Sequence, residues 1–333
     1  MALSRFAYVR SYEQQDAALP NTYMLVRLDG KGFHKFSAKH LFHKPNDARA
    51  LELMNHAARK VMEQLRPEVV LAFGESDEYS FLLRRSCTLY SRRQSFTDPL
   101  SKILTYVTSL FTSNYVLAWS TFFPNQHLDE APSFDGRLVL YPTEKEVRDY
   151  FSWRQADTHV NNLYNTVFWA MVQGGKTERE AHERLKGTLS ADKNEILFNE
   201  HNINYDSLPP LFRKGSTLVW RPETDACFKQ SDSSSPSSLQ VKTKGKSKMT
   251  LQTLHVDIIG HAFWSSPRIQ PRSSTPLAET NGDAEASEQG GAADQPDSDR
   301  ALNVVSGPAE QPNRTDSHRT NAYAGLGARA LAS

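Results

Sequence analysis

The chain has 333 residues, of which 38% are hydrophobic, and its 39 basic and 38 acidic side chains leave a formal net charge of +1. This length suggests one large domain or two small ones. The charge balance decides nothing about nucleic acid, because the basic residues could still cluster on one face. The two cysteines, Cys87 and Cys227, lack C-x-x-C spacing, which argues against a disulfide scaffold or a cysteine-built zinc site and fits a reducing compartment.

The sequence predicts a soluble, intracellular protein of the cytoplasm, the nucleus or both, with no membrane partner. No apolar stretch approaches the roughly 20 residues that cross a bilayer, and the N-terminus lacks the apolar block of a secretory signal. Arg5 and Arg10, with no acid before Glu13, leave a mitochondrial presequence as the alternative.

Strands and helices alternate in the first 142 residues. Pro45 and Asp47 provide a stop and a cap for the first predicted helix. The order strand-helix-strand-strand-helix-strand is that of a ferredoxin-like fold. The predicted elements are a strand over 22–28, a loop over 29–45, a helix over 46–64, strands over 69–74 and 79–83 joined as a hairpin, a helix over 100–118 and a strand over 134–141.

The later part of the chain is helical at first and then loses regularity. Residues 143–200 show helical periodicity in three segments, and the serine-rich stretch 230–250 is predicted to be a loose insertion. Leu251–Ile259 alternates like a strand and should return to the core. Residues 266–333 are rich in Ser, Pro, Gly, Ala and Asp, a composition typical of disorder. The predicted fold class is α+β: a ferredoxin-like, polymerase-type palm of antiparallel sheet backed by helices, with a helical C-terminal portion and a disordered tail.

Two acidic motifs follow apolar runs. Asp29 opens the stretch Asp29-Gly30-Lys31-Gly32-Phe33-His34, and Asp77 and Glu78 follow the run 69–73. Mg²⁺ prefers oxygen ligands, usually one or two carboxylates plus substrate phosphates, and amides of a glycine-rich turn supply donors to phosphate. Because the ferredoxin-like order makes the first strand and the hairpin neighbours, Asp29 and Asp77 can meet at one edge. Two ions held there would suit in-line displacement at phosphorus.

Asp77 is the favoured partner of Asp29. Adjacent strand residues point to opposite faces, so Glu78 is expected to support the site instead. Each motif is also what an ordinary turn contains, since Asp-Gly is a common hairpin dipeptide. Gly32 after Gly30 favours the ligand site, because it suggests close approach of the backbone to a ligand.

Other sites have weaker support. His34, His40 and His43 crowd one loop, but they lack acidic or cysteine partners at zinc-ligand spacing. There is no nucleophile elbow of a triad hydrolase and no Gly-x-x-x-x-Gly-Lys-Ser/Thr loop of a P-loop NTPase.

Long blocks of the sequence resemble the tRNA(His) guanylyltransferase family, of the eukaryotic, fungal type. The blocks lie at 26–37, 44–47, 73–81, 151–166, 187–195, 203–205 and 212–215. The resemblance implies a palm catalytic domain over 1–142 and a helical tRNA-binding portion over 143–265. It also implies the reaction: ATP adenylylates the 5′-phosphate of tRNA(His), the 3′-hydroxyl of GTP attacks to add guanosine at position −1, and pyrophosphate is removed. A homotetramer is expected, with the apolar segment Thr105–Trp119 at a subunit contact.

The resemblance also assigns residues. It implies that Asp29, Asp77 and Glu78 are catalytic, and that two Mg²⁺ ions bind Asp29, Asp77 and the carbonyl of Gly30. It implies that the tRNA is bound by His159, Lys193 and Asn204, which suits base recognition by hydrogen bonding and stacking; the alternative is internally bonded helix groups, such as His159 and Asn162, and a surface lysine. The implied nucleotide-binding residues are Asp29, Gly30, Lys31, Gly32, Phe33, His34, Lys44, Ser76, Asp77 and Lys102.

The sequence departs from the family pattern at two places. Residues 94–101 form an insertion just before Lys102, and the acids expected before Phe263-Trp264 are missing. Two alternative functions are a palm-type cyclase or polymerase acting on free nucleotides, and a tRNA-binding protein without catalysis. A cyclase would not need the blocks around His159 and Asn204, and intact Asp29 and Asp77 argue against the loss of catalysis.

Overall fold

The computed structural model describes residues 4–12, 16, 18–19, 21–87, 89, 100–223, 249–265 and 323–332. All of them belong to one compact unit. Residues 94–99 of the insertion predicted at 94–101, residues 230–248 of the insertion predicted at 230–250, and residues 266–322 and 333 of the predicted tail lie outside this description.

An antiparallel sheet of six strands carries the fold, in the spatial order β4-β1-β3-β2-β5-β6. Its strands are β1 (Tyr23–Gly30), β2 (Val69–Glu75), β3 (Glu78–Leu83), β4 (Phe134–Tyr141), β5 (Ser216–Pro222) and β6 (Met249–Leu254). The first four follow the ferredoxin-like order, so the predicted contact between the first strand and the hairpin is confirmed. Strand β5 was not predicted, and the strand predicted over 251–259 ends early, at Leu254.

Nine α-helices, together with the 3₁₀ helices Ala7–Tyr12 and Tyr205–Ser207, accompany this sheet in the described part of the chain. They are α1 (Phe33–Lys39), α2 (Ala48–Gln64), α3 (Leu100–Phe122), α4 (Glu144–Gln173), α5 (Glu178–Leu185), α6 (Ser190–His201), α7 (Pro210–Lys214), α8 (His261–Trp264) and α9 (Leu326–Ala332). The three helical segments predicted between 143 and 200 are confirmed as α4, α5 and α6. None of the described helices has the length and apolar composition that crossing a bilayer requires.

Helix α1 lies inside a segment that was predicted to be a loop. Its seven residues bury only Phe33 and Phe36, which is too short a pattern for helical periodicity to show. The cap predicted for α2 is present, because the Asp47 side chain accepts a hydrogen bond from the Arg49 amide at 3.0 Å.

The central strands are buried on both faces. Val26 and Phe81 face the cluster that α2 and α3 cover, whereas the adjacent Leu25 and Leu82 face the cluster that contains Phe151 of α4. This follows from the alternation of side chains along a strand. A third cluster joins α4 to α5 and α6, so the helical portion has its own apolar core.

A buried glutamine fastens α4 to the far edge of the sheet. The Gln155 amide donates to the carbonyls of Lys214 and Val256, each at 2.9 Å, and its oxygen accepts from the Ile258 amide at 2.7 Å. One side chain thereby satisfies three backbone groups, one at the end of α7 and two in the segment after β6. These hydrogen bonds hold α4 at a fixed position against β5 and β6.

The last described residues correct one prediction. Residues 323–332 were assigned to a disordered tail, but Leu326–Ala332 forms α9, with Leu326 and Leu331 buried. Residues 323–332 are apolar and rich in small residues, unlike the polar stretch before them. The average composition of the whole tail hides this local difference.

Candidate active site

Asp29 and Asp77 meet at one end of the sheet. Register pairs Asp29 of β1 with Glu78 of β3, and the Gly30 amide donates to the Asp77 carbonyl at 3.0 Å. The end of β1 is therefore fastened to the turn between β2 and β3. Both aspartates line one cavity of about 320 Å³. The structure thus brings together the pair that the sequence singled out.

Two glycines allow this close approach. A side chain at Gly30 would collide with the ring of Phe33 and would lie 2.9 Å from the Asp77 Cβ atom. Gly32 adopts a φ of 71°, a left-handed conformation that glycine adopts without strain, and it opens α1. Gly30 therefore makes room for Asp77, whereas Gly32 turns the chain into the helix.

The two carboxylates form an unfavourable pair unless a cation joins them. Burial raises the pKa of Asp77, and the negative charge of Asp29 raises it further, although a hydrogen bond from Ser76 and the charge of His34 oppose the shift. Oxygen donors alone, on two carboxylates, match what Mg²⁺ uses when substrate phosphates complete its shell. The residues present therefore fit magnesium.

The zinc site considered for the neighbouring histidines does not form. Among the described residues, no three His, Cys, Asp or Glu side chains converge as metal ligands. His40 is buried with both ring nitrogens engaged: Nδ1 lies 2.9 Å from the Phe36 carbonyl, and Nε2 accepts from the Asp129 amide at 3.2 Å. It is a structural residue.

Glu78 is held by arginines. The Arg154 Nε atom donates to Glu78 at 2.7 Å, and the Arg27 Nε atom lies 3.6 Å from the same carboxylate. Burial raises the pKa of Glu78, while both arginines lower it. Of the two roles considered for Glu78, the structure favours support of the site.

Arg154 is the site residue that sequence reasoning missed. Its terminal nitrogen Nη2 donates to Glu75 at 2.5 Å and to Asp157 at 3.1 Å, so one buried guanidinium serves three carboxylates. Burial raises the pKa of Glu75 to about 7, although Arg154 opposes the shift. No local sequence pattern marks this arginine, because Glu78 and Glu75 lie 76 and 79 residues away in sequence.

A second cavity, of about 670 Å³, opens on the other side of Ser76 and Asp77. It holds five of the predicted nucleotide-binding residues: Phe33, His34, Lys44, Ser76 and Asp77. Its wall also includes Phe42, Tyr115 and Trp169. The Lys44 Nζ atom donates to the Ser37 hydroxyl at 3.1 Å and lies 5.9 Å from the centre of the Trp169 ring.

Four predicted nucleotide-binding residues lie elsewhere: Gly30, which is buried at the end of β1, and Lys31, Gly32 and Lys102. Lys31 and Gly32 are exposed, and so is Lys102 in the first turn of α3. None of them is among the described residues that line the two cavities. The structure does not bring Lys102 to the site, and its charge instead acts on Asp16.

The three predicted tRNA-binding residues lie on different elements: His159 on α4, Lys193 on α6, and Asn204 in the connection after α6. The His159 ring packs edge-on against Tyr205 at 5.3 Å, and Asn204 precedes Tyr205, with its side chain capping the 3₁₀ helix Tyr205–Ser207. Lys193 lies apart from them, where its Nζ atom donates to the Thr188 carbonyl at 2.7 Å. His159 and Asn204 are exposed, so two of the three share one surface.

A hydrogen-bonded chain joins that surface to the cavities. The Asn46 amide donates to the Asn162 oxygen at 2.9 Å, and the Asn162 amide donates to the Tyr205 hydroxyl at 3.0 Å. Asn46 lines both cavities. The sequence alternative of an internally bonded helix group therefore describes Asn162, and this residue connects the two regions.

Comparisons with known proteins cover most of the chain. One family model, described as tRNAHis guanylyltransferase, matches residues 6–142, and another, described as the Thg1 C terminal domain, matches residues 145–260. The tRNA(His) guanylyltransferase of Debaryomyces hansenii is 48% identical over 268 residues, which are 80% of this chain and 97% of that protein.

Solved structures agree with the fold. The crystal structure of tRNA(His) guanylyltransferase from Saccharomyces cerevisiae matches with a TM-score of 0.60 and 47% identity, over 65% of this chain and 93% of that chain. A bacterial tRNA(His) guanylyltransferase-like protein in complex with ATP matches with a TM-score of 0.51 and 25% identity, over 64% and 85%. The α+β class and the antiparallel sheet backed by helices are confirmed, and the chain belongs to the tRNA(His) guanylyltransferase family of nucleotidyltransferases.

Proposed function

We propose that the protein adds a guanosine to the 5′ end of tRNA(His), at position −1, with GTP and ATP as substrates. The observation that carries the proposal is the convergence of Asp29 and Asp77 in one cavity, with Asp77 also lining the second cavity, in a chain of this family. A structural relative holds ATP. Two adjoining cavities that meet at Asp77 suit a reaction that brings a nucleotide to the end of a polynucleotide.

The larger cavity is proposed to hold the triphosphate. His34, Lys44 and Ser76 line it, and they can donate hydrogen bonds or positive charge to phosphate oxygens and to the leaving pyrophosphate. Phe42 and Trp169 on its wall offer flat apolar surfaces to a base. The proposed order of events is the family's: 5′-adenylylation with ATP, attack by the GTP 3′-hydroxyl, and removal of pyrophosphate.

The metal is proposed to be Mg²⁺, with two ions. Asp29, Asp77 and the Gly30 carbonyl would hold them. When bound, they would neutralise phosphate charge and stabilise the attacking and leaving oxygens. The residues of the chain prepare that site: Gly30 leaves space beside Asp77, and Arg154 binds Glu75 and Glu78, which reduces competition from the neighbouring acids.

The surface around α4 is proposed to contact the tRNA. His159 and Asn204 present polar groups beside Tyr205, and Lys193 adds a positive charge that is held in place by the Thr188 carbonyl. Bases in RNA loops are recognised by this combination of hydrogen bonding and stacking. These residues would read the anticodon.

A homotetramer is proposed for the assembly. Leu117, with 78% of its surface exposed, and the partly exposed Tyr106 and Val116 form an apolar surface on α3, within the segment predicted to make a subunit contact. Light scattering should give the mass of four chains; a monomer would contradict this part of the proposal.

The activity is tested with 5′-labelled, monophosphorylated tRNA(His), GTP, ATP and Mg²⁺. We expect extension by one nucleotide. Asp29→Asn and Asp77→Asn should each lower the rate by at least about 10²-fold, as the loss of a group that stabilises transition-state charge does. Asp135→Asn is the matched control. Asp135 of β4 is the register partner of Asp29 of β1, but it is exposed and lines neither cavity in the described part of the chain.

The outcomes separate the alternatives. Activity that persists in both aspartate variants would exclude the proposed metal site. Consumption of free nucleotides without tRNA extension would indicate a cyclase or polymerase, and tight tRNA binding without any reaction would indicate a protein that has lost catalysis.

A further inference from the structure

The C-terminal helix α9 occupies an apolar groove on the sheet. It contacts α8, β2 and β5, and its buried residues Leu326 and Leu331 join the cluster that contains Val70 and Val219. The Gly325 amide donates to the Ala262 carbonyl at 3.0 Å, which fixes where the segment enters. The groove therefore engages both the side chains and the backbone of this segment.

Gly327 faces the two aromatic rings of α8. A Cβ atom at this position would lie 2.7 Å from the Phe263 ring and would also collide with the Trp264 ring. Trp264 cannot easily move aside, because it is buried and its indole donates to the Ile258 carbonyl at 2.6 Å. The groove thus accepts a helix only with a glycine at the point where it crosses these rings.

This segment lies beyond the part of the chain that the family shares. The family models end at residue 260, and the match to 97% of the Debaryomyces hansenii protein occupies only 80% of this chain. The match therefore accounts for most of the Debaryomyces hansenii protein, and little of its length is left for a counterpart of α9. The matched lengths therefore indicate that the docked helix is an addition to the part of the chain that the family shares.

We propose that residues 323–332 are an intramolecular ligand of this groove, and that the groove is a docking surface for a short apolar helix with a glycine facing Phe263 and Trp264. The occupant is the chain's own end. The same apolar cluster contains Val147, Tyr150 and Phe151 of α4, so docking braces the helix that carries Arg154 and His159.

Docking of such a short helix is reversible. Seven residues are too few for a stable helix in water, so α9 gains its helical structure from the groove. Its covalent attachment keeps its effective concentration high. The segment can therefore leave and return while the core stays folded, and an incoming helix of the same chemistry could compete for the groove.

Gly327→Ala gives opposite results for a docked and an undocked helix. Alanine is the better helix former, so an undocked segment would gain helical order. A docked segment would lose its fit against Phe263 and Trp264. In the full chain, hydrogen exchange followed by mass spectrometry should show amides of 323–332 protected, and Gly327→Ala should accelerate their exchange by at least about tenfold, a change equivalent to 1.4 kcal/mol.

Arg329→Ala is the matched control. Arg329 is exposed on the same helix, so its replacement also raises helix propensity but leaves the docked face intact, and exchange should not accelerate. Leu331→Ser provides a second variant that weakens the apolar contact without adding bulk. Unprotected amides at 323–332 in the unaltered chain, or slower exchange in Gly327→Ala, would overturn the proposal.

The identity of the occupant is tested by isotopic mixing. A photo-reactive amino acid replaces the exposed Ala332 in both ¹⁴N-labelled and ¹⁵N-labelled full-length protein, and the two are mixed before irradiation. Cross-links to the groove should join residues of the same isotope only. Cross-links between isotopes in equal proportion would show that a second copy fills the groove, and would overturn the intramolecular assignment. Neither result depends on the proposed transferase activity.

Discussion

The acidic end of the sheet and the surface around α4 differ in how their polar groups are held and exposed. At the acidic end, strand register places Asp29 opposite Glu78, and a buried arginine binds Glu78 and two further carboxylates. Around α4, His159 and Asn204 are exposed. Chemistry at phosphorus needs charged groups fixed before the substrate arrives, whereas contact with RNA needs groups that the RNA can reach.

The two regions therefore differ in what holds them. The acidic end depends on buried charge, and removal of one partner leaves the others without compensation. The surface around α4 depends on neutral hydrogen bonds to Tyr205 and on solvent-exposed polar groups, whose loss costs less. The following variants test this difference in order of expected effect.

Arg154→Met should have the largest effect on stability. It removes the only positive charge within hydrogen-bonding distance of Glu75 in the described residues and leaves this buried carboxylate without a positively charged partner. A broken buried ion pair of this kind costs about 3–5 kcal/mol. Urea unfolding without Mg²⁺ measures it. Lys145→Met is the control, because its pair with Asp149 is exposed and an exposed ion pair adds little to stability; equal losses would show that the acidic network does not stabilise the fold.

Asn162→Ala tests the connection between the two regions. The variant leaves the Asn46 amide and the Tyr205 hydroxyl without the buried partner that joins them, at a cost of about 1–3 kcal/mol in the free energy of unfolding. Asn161→Ala is its neighbour and control, since Asn161 is exposed and its amide donates to the Asp157 carboxylate at 3.2 Å. If the two variants unfold at the same urea concentration, the chain through Asn162 carries no stability.

Tyr115→Phe should affect nucleotide binding more than stability. Tyr115 is fully buried and lines the larger cavity, but its hydroxyl has no hydrogen-bond partner among the residues that the structure describes. Its burial and the charges of Asp77 and Asp47 raise its pKa, so the hydroxyl stays protonated and can donate to a bound nucleotide. Phenylalanine should leave the free energy of unfolding unchanged or higher, and should raise the KM for GTP.

The control for Tyr115 is another buried tyrosine. The Tyr150 and Ser80 hydroxyls are hydrogen-bonded to each other at 2.7 Å, so Tyr150→Phe should lose about 1 kcal/mol of stability with the KM for GTP unchanged. A Tyr115→Phe variant that is destabilised to the same extent, with its KM unaltered, would contradict a role in the cavity.

Sequence reasoning found the acidic pair because its signal is local. Asp29 and Asp77 each end an apolar run beside a glycine-bearing turn, and the ferredoxin-like order brings those turns together. Arg154 was missed because its partners are 76 and 79 residues away in sequence, a relation that periodicity cannot reveal. Lys102 lines neither cavity. Its predicted role came from the resemblance, whereas residues 94–101 immediately before it depart from the family pattern.

His159→Gln should have the smallest effect on stability, visible only in the pH dependence of the free energy of unfolding. Partial burial against Tyr205 lowers the pKa of His159, and the positive charge of Arg213 lowers it further. The folded protein therefore favours the neutral ring, whereas the unfolded chain takes up the proton near pH 6.5. Stability is unaffected above that pH and falls as the pH drops from about 6.5 towards the lower folded value.

The measurement is the melting temperature of both proteins between pH 5.5 and 8. The difference between His159→Gln and the unaltered chain should be constant above about pH 7 and should shift in favour of the variant below it, because glutamine cannot take up the proton. His127→Gln is the control, since the His127 side chain is 87% exposed and paired with Asp129; it should not relieve the loss at low pH. If the difference in melting temperature stayed constant over the whole pH range, the His159 ring would be as well hydrated in the folded protein as in the unfolded chain. The surface beside Tyr205 would then be more open to solvent than the packing of the two rings indicates.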